Sequence, residues 1–220
     1  MADDPQRERT RLYLITPPQI SDVAGFVDQF KAAIEGGDIA SLQVRMKNGT
    51  EIDPAATRAV AQAVQPLCRE HEIALFINDS SQLCRALEAD GVHLGADDMD
   101  IAAARDLVGP DVIIGATCKN SRHTAMVAGE QGADYVAFGA FYPTTTKQAT
   151  TQADKDILTW CQMFLTLPCV AIGGITVENA APLVEAGADF LAVSSGVWDH
   201  NDGPAAAVAM LNRVIDAATD

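Results

Sequence analysis

Eight short apolar runs recur along the chain at 11–16, 41–46, 74–79, 91–95, 112–117, 135–139, 169–174 and 190–195, with a helical stretch in every gap. Most are continuous, not alternating. Such runs indicate strands buried on both faces, as in a parallel sheet covered by helices. Helix punctuation fits the gaps. Ser21 is placed to cap a helix over 22–35 that stops at Gly36-Gly37, and Asp53 followed by Pro54 opens one over 54–71. Ser80, Asp100, Ser121 and Thr176 stand where the next helices need caps. A helix over 158–165 has a weaker start, and Pro204 opens the last, 204–218. Three related turns, at 88–93, 130–135 and 185–190, close a helix and enter a strand, with Gly expected as the left-handed cap. Eight βα units in order, with no linker or low-complexity stretch, predict an α/β fold: a (β/α)8 TIM barrel in a single domain over 1–220. Residues 1–10 are expected to form a flexible N-terminal segment.

Charge narrows the ligands. Fifteen Lys and Arg face thirty Asp and Glu, a net charge of −15 with no basic stripe, so nucleic acid and anionic membrane surfaces are excluded as partners. The opening MADDPQRERT is polar and unlike a secretory signal, and no window has the ~18 apolar residues of a membrane span. Five Cys, odd in number and without a CxxC pair, read as core filler in a reducing, cytoplasmic setting. His71, His93, His123 and His200 are scattered, which argues against a histidine-ligated metal, and His93 inside a strand reads as a satisfied core histidine.

In such barrels the reactive side chains lie at the C-terminal strand ends. Those ends carry Thr16; Gln43, Arg45 and Lys47; Asn78 and Asp79; Gly95, Asp97 and Asp98; Thr117 and Lys119; Thr144, Thr145, Thr146 and Lys147; Gly173 and Gly174; Ser194, Ser195 and Gly196. Three of the five lysines follow strand ends, and cations gathered at one rim of an acidic protein suggest a locally held anion. Gly173-Gly174 and Ser194-Ser195-Gly196 suit a phosphate after the seventh and eighth strands, with tight barrel packing as the competing use of the glycines. Asp79 and Asp98 end adjacent strands, roughly 5 Å apart, where two carboxylates repel unless a cation sits between them. Mg2+ suits that pair, with Asp97 able to assist; capping of the following helices is the competing reading. Three hydroxyls and Lys147 in one loop can surround a phosphate or pyrophosphate.

From 12 to 198 the chain resembles thiamine phosphate synthases. The motifs are Gln43-Val-Arg-Met-Lys47, Phe76-Ile-Asn-Asp79, Asp90-Gly-Val-His-Leu-Gly95, Pro143-Thr-Thr-Thr-Lys147 and Ala171-Ile-Gly-Gly-Ile-Thr176. The resemblance implies an Mg2+-assisted transferase of thiamine biosynthesis. It joins hydroxymethylpyrimidine pyrophosphate to thiazole phosphate through a dissociative transition state. It implies that Gln43, Arg45, Lys47 and Asn78 contact pyrophosphate and pyrimidine, and that Asp79 and Asp98 hold the metal. Thr117 stands where the family has a serine near the leaving group. Thr144, Thr146 and Lys147 bridge the substrates, and Gly174, Val193 and Ser194 hold the thiazole phosphate. The chain departs from the family pattern at Pro17, Met46, Ser80, Ala96-Asp97 and Thr117-Cys118-Lys119.

Two alternatives stay open at this point: a non-catalytic phosphate-binding paralogue, and an isomerase of the thiazole tautomerase type. The tautomerases place a histidine where this chain has Lys119, and the retained Asp79, Asp98, Arg45 and Lys147 argue against lost activity. The expected partners are phosphorylated small molecules, and the sequence is also compatible with a homo-oligomer.

Overall fold

The structure, a computed structural model, describes residues 8–48, 51–95, 100–144 and 152–219. The elements run β1 (Arg11–Ile15), α1 (Val23–Glu35), β2 (Ser41–Val44), β3 (Lys47–Asn48), β4 (Glu51–Ile52), α2 (Pro54–Glu70), β5 (Ala74–Asn78), α3 (Ser81–Leu87) and β6 (Gly91–Leu94). They continue with α4 (Ile101–Val108), β7 (Ile113–Lys119), α5 (Arg122–Glu130), β8 (Tyr135–Gly139), α6 (Asp156–Phe164) and β9 (Cys169–Ile172). The chain closes with α7 (Ala181–Glu185), β10 (Phe190–Val193), α8 (Ser195–Trp198) and α9 (Gly203–Thr219). Eight strands form a closed parallel barrel in the order β1-β10-β9-β8-β7-β6-β5-β2, so the predicted (β/α)8 fold is the one observed. None of the helices among the described residues is long and apolar enough to cross a membrane.

The apolar runs divide into two layers. Leu12, Leu14, Leu42, Val44, Leu75 and Ile77 pack outward under the helices, in one large cluster with Phe30, Val60, Leu183 and Leu211. Tyr13, Ile15, Phe76, Tyr135, Ala137, Val170 and Ala192 form a smaller cluster that fills the barrel. Both sets come from the two-residue alternation of a strand. The five cysteines are free and buried, as core filler would be.

Several local expectations are corrected. Asp22, not Ser21, caps α1, its side chain accepting from the Gly25 amide at 3.0 Å. Asp53, Ser80, Asp100 and Ser121 cap as predicted. Thr176 does not, because α7 begins later at Ala181; instead the Thr176 amide donates to the Asn179 side chain at 2.8 Å. Of the three repeated turns, Gly132 and Gly187 take positive φ, but Gly91 does not. There Glu88 adopts the left-handed conformation, and Gly91 lies in β6, where a Cβ would overlap the Phe76 ring. The second strand ends at Val44, and a short antiparallel hairpin, β3–β4, follows where the sequence suggested only strand and helix. The last strand ends at Val193, and Ser195 starts α8. The fifth runs on to Lys119 through a bulge between Thr117 and Lys119. Arg9 and Thr10 are anchored, contrary to a flexible segment reaching residue 10: the Thr10 hydroxyl donates to the Ala188 carbonyl at 2.7 Å, and Arg9 pairs with Asp216.

Candidate active site

The C-terminal ends of β2, β5, β6 and β7 lie side by side because these strands are neighbours in the barrel. After β2, the Arg45 amide donates to the Thr16 hydroxyl at 2.9 Å, which ties this strand end to that of β1. Lys47 opens the β3–β4 hairpin, where it pairs with Ile52, and its amide donates to the Pro18 carbonyl at 2.9 Å. Its ammonium meets the Asp79 carboxylate at 2.6 Å, with side chains only 16% and 9% exposed. Asp79 sits in the left-handed region, φ 60°, one residue past β5. That conformation costs a residue other than glycine about 1 kcal/mol or more. Helix capping does not account for it, because the adjacent Ser80 caps α3.

Arg45 joins this pair electrostatically. Burial pulls its guanidinium below the ordinary pKa, and the charge of Asp79 opposes that shift. A poorly solvated cation beside a buried ion pair is an environment that gains from an incoming anion. Lys119, by contrast, is exposed beyond the β7 bulge, at φ 54°.

Beneath the mouth lies a column of polar side chains that crosses the barrel. Gln43 donates to the Asn78 carbonyl oxygen at 2.5 Å and accepts from the Tyr13 hydroxyl at 3.2 Å. The Tyr13 and Tyr135 hydroxyls meet at 2.9 Å. Tyr135 meets His93 Nδ1 at 2.9 Å, and His93 Nε2 meets the Thr117 hydroxyl at 2.8 Å. Burial pushes both phenols above their ordinary pKa, so each keeps its hydrogen. His93 is therefore hydrogen-bonded on both nitrogens, as a satisfied core histidine should be. Tyr13 and Tyr135 were not singled out from the sequence. The signal available was their inward register in otherwise aliphatic runs, together with Gly115 in β7, where a Cβ would overlap the Tyr135 ring.

On the opposite side, Gly173 and Gly174 both have positive φ, 105° and 64°. A Cβ at Gly174 would overlap the Pro143 carbonyl, so this glycine admits the loop that leads to Thr144. Asn179 pins the turn by donating to the Gly174 carbonyl at 2.9 Å, and Tyr142 caps it by donating to the Asn179 carbonyl at 2.7 Å. Val193 is buried at the end of β10, and the Ser194 hydroxyl lies 3.4 Å from the Thr16 carbonyl. Gln43, Asn78, Asp79, Arg45, Lys47, Thr117, Thr144, Gly174, Val193 and Ser194 thus all occupy one rim. Asp97, Asp98, Thr145, Thr146 and Lys147 lie outside the described residues.

Comparisons with known proteins bear on the family and the fold. Residues 12–197 match the family described as thiamine monophosphate synthase. The chain is 60% identical over 219 residues to the thiamine-phosphate synthase of Hyphomonas neptunium, covering 99% of both chains. It is 55% identical to that of Rhodospirillum centenum, covering 93% of this chain and 97% of the relative. Among solved structures, a thiamine phosphate pyrophosphorylase from Pyrococcus furiosus superposes with a TM-score of 0.80 at 30% identity, covering 94% of this chain and 96% of that one. The chain belongs to the thiamine monophosphate synthase family, transferases that join pyrimidine and thiazole moieties.

Proposed function

We propose that this chain joins hydroxymethylpyrimidine pyrophosphate to thiazole phosphate, releasing pyrophosphate and forming thiamine phosphate. The observation that carries the reading is the Lys47–Asp79 pair, largely buried beside a desolvated Arg45 at the barrel mouth. The bond from the pyrimidine methylene carbon to the pyrophosphate oxygen breaks, and its electron pair leaves with pyrophosphate. The thiazole nitrogen then supplies the pair for the new carbon–nitrogen bond. Negative charge grows on the leaving group, so catalysis is mainly the presentation of positive charge and donors to it.

The family implies Mg2+, and the residues present fit it. Among the described residues no three His, Cys, Asp or Glu side chains gather. Mg2+ asks for fewer: one or two carboxylates, with water and substrate phosphate oxygens completing its shell. Asp79 supplies a largely buried carboxylate, and Asp98 is our second ligand. Bound there, Mg2+ would offset charge on the pyrophosphate oxygens. Lys47 turns from Asp79 to the pyrophosphate as the substrate arrives, and Arg45 meets it from the same side. Gln43 and Asn78 hold the pyrimidine, and Thr117 lies against the leaving group. Thr144, Thr146 and Lys147 bridge the substrates, while Gly174, Val193 and Ser194 hold the thiazole phosphate. The buried free thiols support a reducing, cytoplasmic setting.

A coupled assay with both substrates and Mg2+, following pyrophosphate release, tests the reading. Asp79→Ala and Lys147→Ala should each lower turnover by about 10²-fold or more while the circular dichroism spectrum is kept. Unchanged release in both variants overturns the assigned roles, and no release by the unmodified protein overturns the function.

A further inference from the structure

The column from Asn78 to Thr117 contains only groups with one hydrogen to give, apart from its terminal amides. That property makes it directional. Gln43 presents its carbonyl oxygen to Tyr13, so Tyr13 spends its hydrogen on Gln43. Tyr13 must then accept from Tyr135, and Tyr135 must accept from His93 Nδ1. A neutral imidazole with hydrogen on Nδ1 accepts at Nε2, so Thr117 spends its own hydrogen on His93. In this direction Thr117 offers a ligand only lone pairs, and Asn78 offers amide hydrogens. If the two amides turn over, every step reverses. Gln43 donates to Tyr13, Tyr13 to Tyr135, Tyr135 to Nδ1, and Nε2 to Thr117, which frees the threonine hydrogen for a ligand. The number of hydrogens is the same in both directions; one has moved from Nδ1 to Nε2 by exchange with solvent.

We infer that Tyr13, Tyr135 and His93 are positioning residues that couple the hydrogen-bond polarity of Thr117 to that of Asn78, and that pyrophosphate reverses the column. The reason is electrostatic. A pyrophosphate oxygen beside Thr117 is repelled by lone pairs and stabilised by a donated hydrogen. In the reversed direction Asn78 presents a carbonyl oxygen, so one ligand group sets what the site offers the other. Space has been made for this arrangement: Gly115 is the residue whose Cβ would displace Tyr135. The inference rests on the proposed function in taking Thr117 to face the leaving group and Asn78 the pyrimidine.

The test has two arms. With 15N-histidine-labelled protein, and the His93 signals identified by their loss in His93→Gln, the ring should carry hydrogen on Nδ1 alone. Saturating inorganic pyrophosphate with Mg2+ should move it to Nε2. An unchanged tautomer at saturation, or a doubly protonated ring, overturns the inference whether or not the protein is a synthase. In the kinetic arm, Tyr135→Phe should keep the folded spectrum and lower kcat about tenfold, with KM for the pyrimidine substrate changed less than threefold. Thr117→Val should cost far less in the Tyr135→Phe background than alone, because the column is already cut. Fully additive losses, or a Tyr135→Phe enzyme with unchanged kcat, overturn the coupling.

Discussion

At the N-terminal rim of the barrel, Arg9 and Arg11 meet Asp38 and Asp216; at the C-terminal rim, Lys47 meets Asp79, and Arg45 feels its charge. The lower set is matched two against two. Arg11 grips Asp38 with two nitrogens at 2.9 and 2.6 Å, and Arg9 reaches Asp216 at 2.6 Å. Those groups remain partly in water, with the Arg11 and Asp38 side chains 45% and 37% exposed. The upper set pairs Lys47 with Asp79, has Arg45 within electrostatic reach of it, and takes these groups further out of water. The lower rim is finished electrostatically and serves the fold. Among the described residues the upper rim gathers its cations around a single carboxylate in a drier setting.

This contrast breaks most readily at Arg45. Arg45→Ala should lower kcat/KM by about 10²–10³-fold, while the melting temperature stays within about 2 °C, because removing a desolvated cation costs little stability. Calorimetry beside steady-state kinetics decides it; a large loss of stability would erase the difference between the rims. The converse substitution, Asp38→Asn, should leave kcat unchanged and cost about 0.5–1 kcal/mol, discounted for exposure, or roughly 1–4 °C. Its pH dependence has a definite sign. The Arg11 guanidinium, aided by Arg9, holds the Asp38 carboxyl below its usual range. Its contribution is therefore complete above the unfolded value of about 3.9, and is lost as pH falls from there through the folded value. Acid titrations of stability should show a shallower slope in that window for Asp38→Asn. A variant with the slope of the unmodified protein breaks the assignment. The smallest effect is expected at Lys119, which is exposed and screened: Lys119→Ala should raise KM for the pyrimidine substrate less than threefold, with the difference vanishing as salt is raised.

Much of this was legible along the chain because it is local. Pro54 after Asp53 marks a helix start wherever it occurs, and α2 begins there with the Asp53 side chain on the Ala56 amide at 2.9 Å. Leu12-Tyr13-Leu14-Ile15 and Leu75-Phe76-Ile77 announce double-sided burial by being apolar without alternation, and the two faces fall into separate clusters. Asp79 and Arg45 were legible as strand-end residues. The Lys47–Asp79 pair was not, because it joins the ends of two different strands that only the barrel brings together. Ser21 was misread as a cap because Asp22, its neighbour, satisfies the same rule one residue later. The start of α8 was hidden because Ser194, at its N-cap position, follows β10 directly and makes no side-chain capping bond.

By itself, the sequence determined the alternation of strands and helices, the closed parallel barrel and the chemistry of its strand ends, since each follows from periodicity, capping and residue type within a few positions. The tertiary structure alone decided that Tyr13, 122 positions from Tyr135, meets it hydroxyl to hydroxyl in the barrel core. It also decided that Gly115 leaves the space for that meeting, and that a line of polar groups joins Asn78 to Thr117. Only barrel closure sets those distances, and a hydrogen bond worth about 1 kcal/mol to a buried group leaves no trace in the residues beside it.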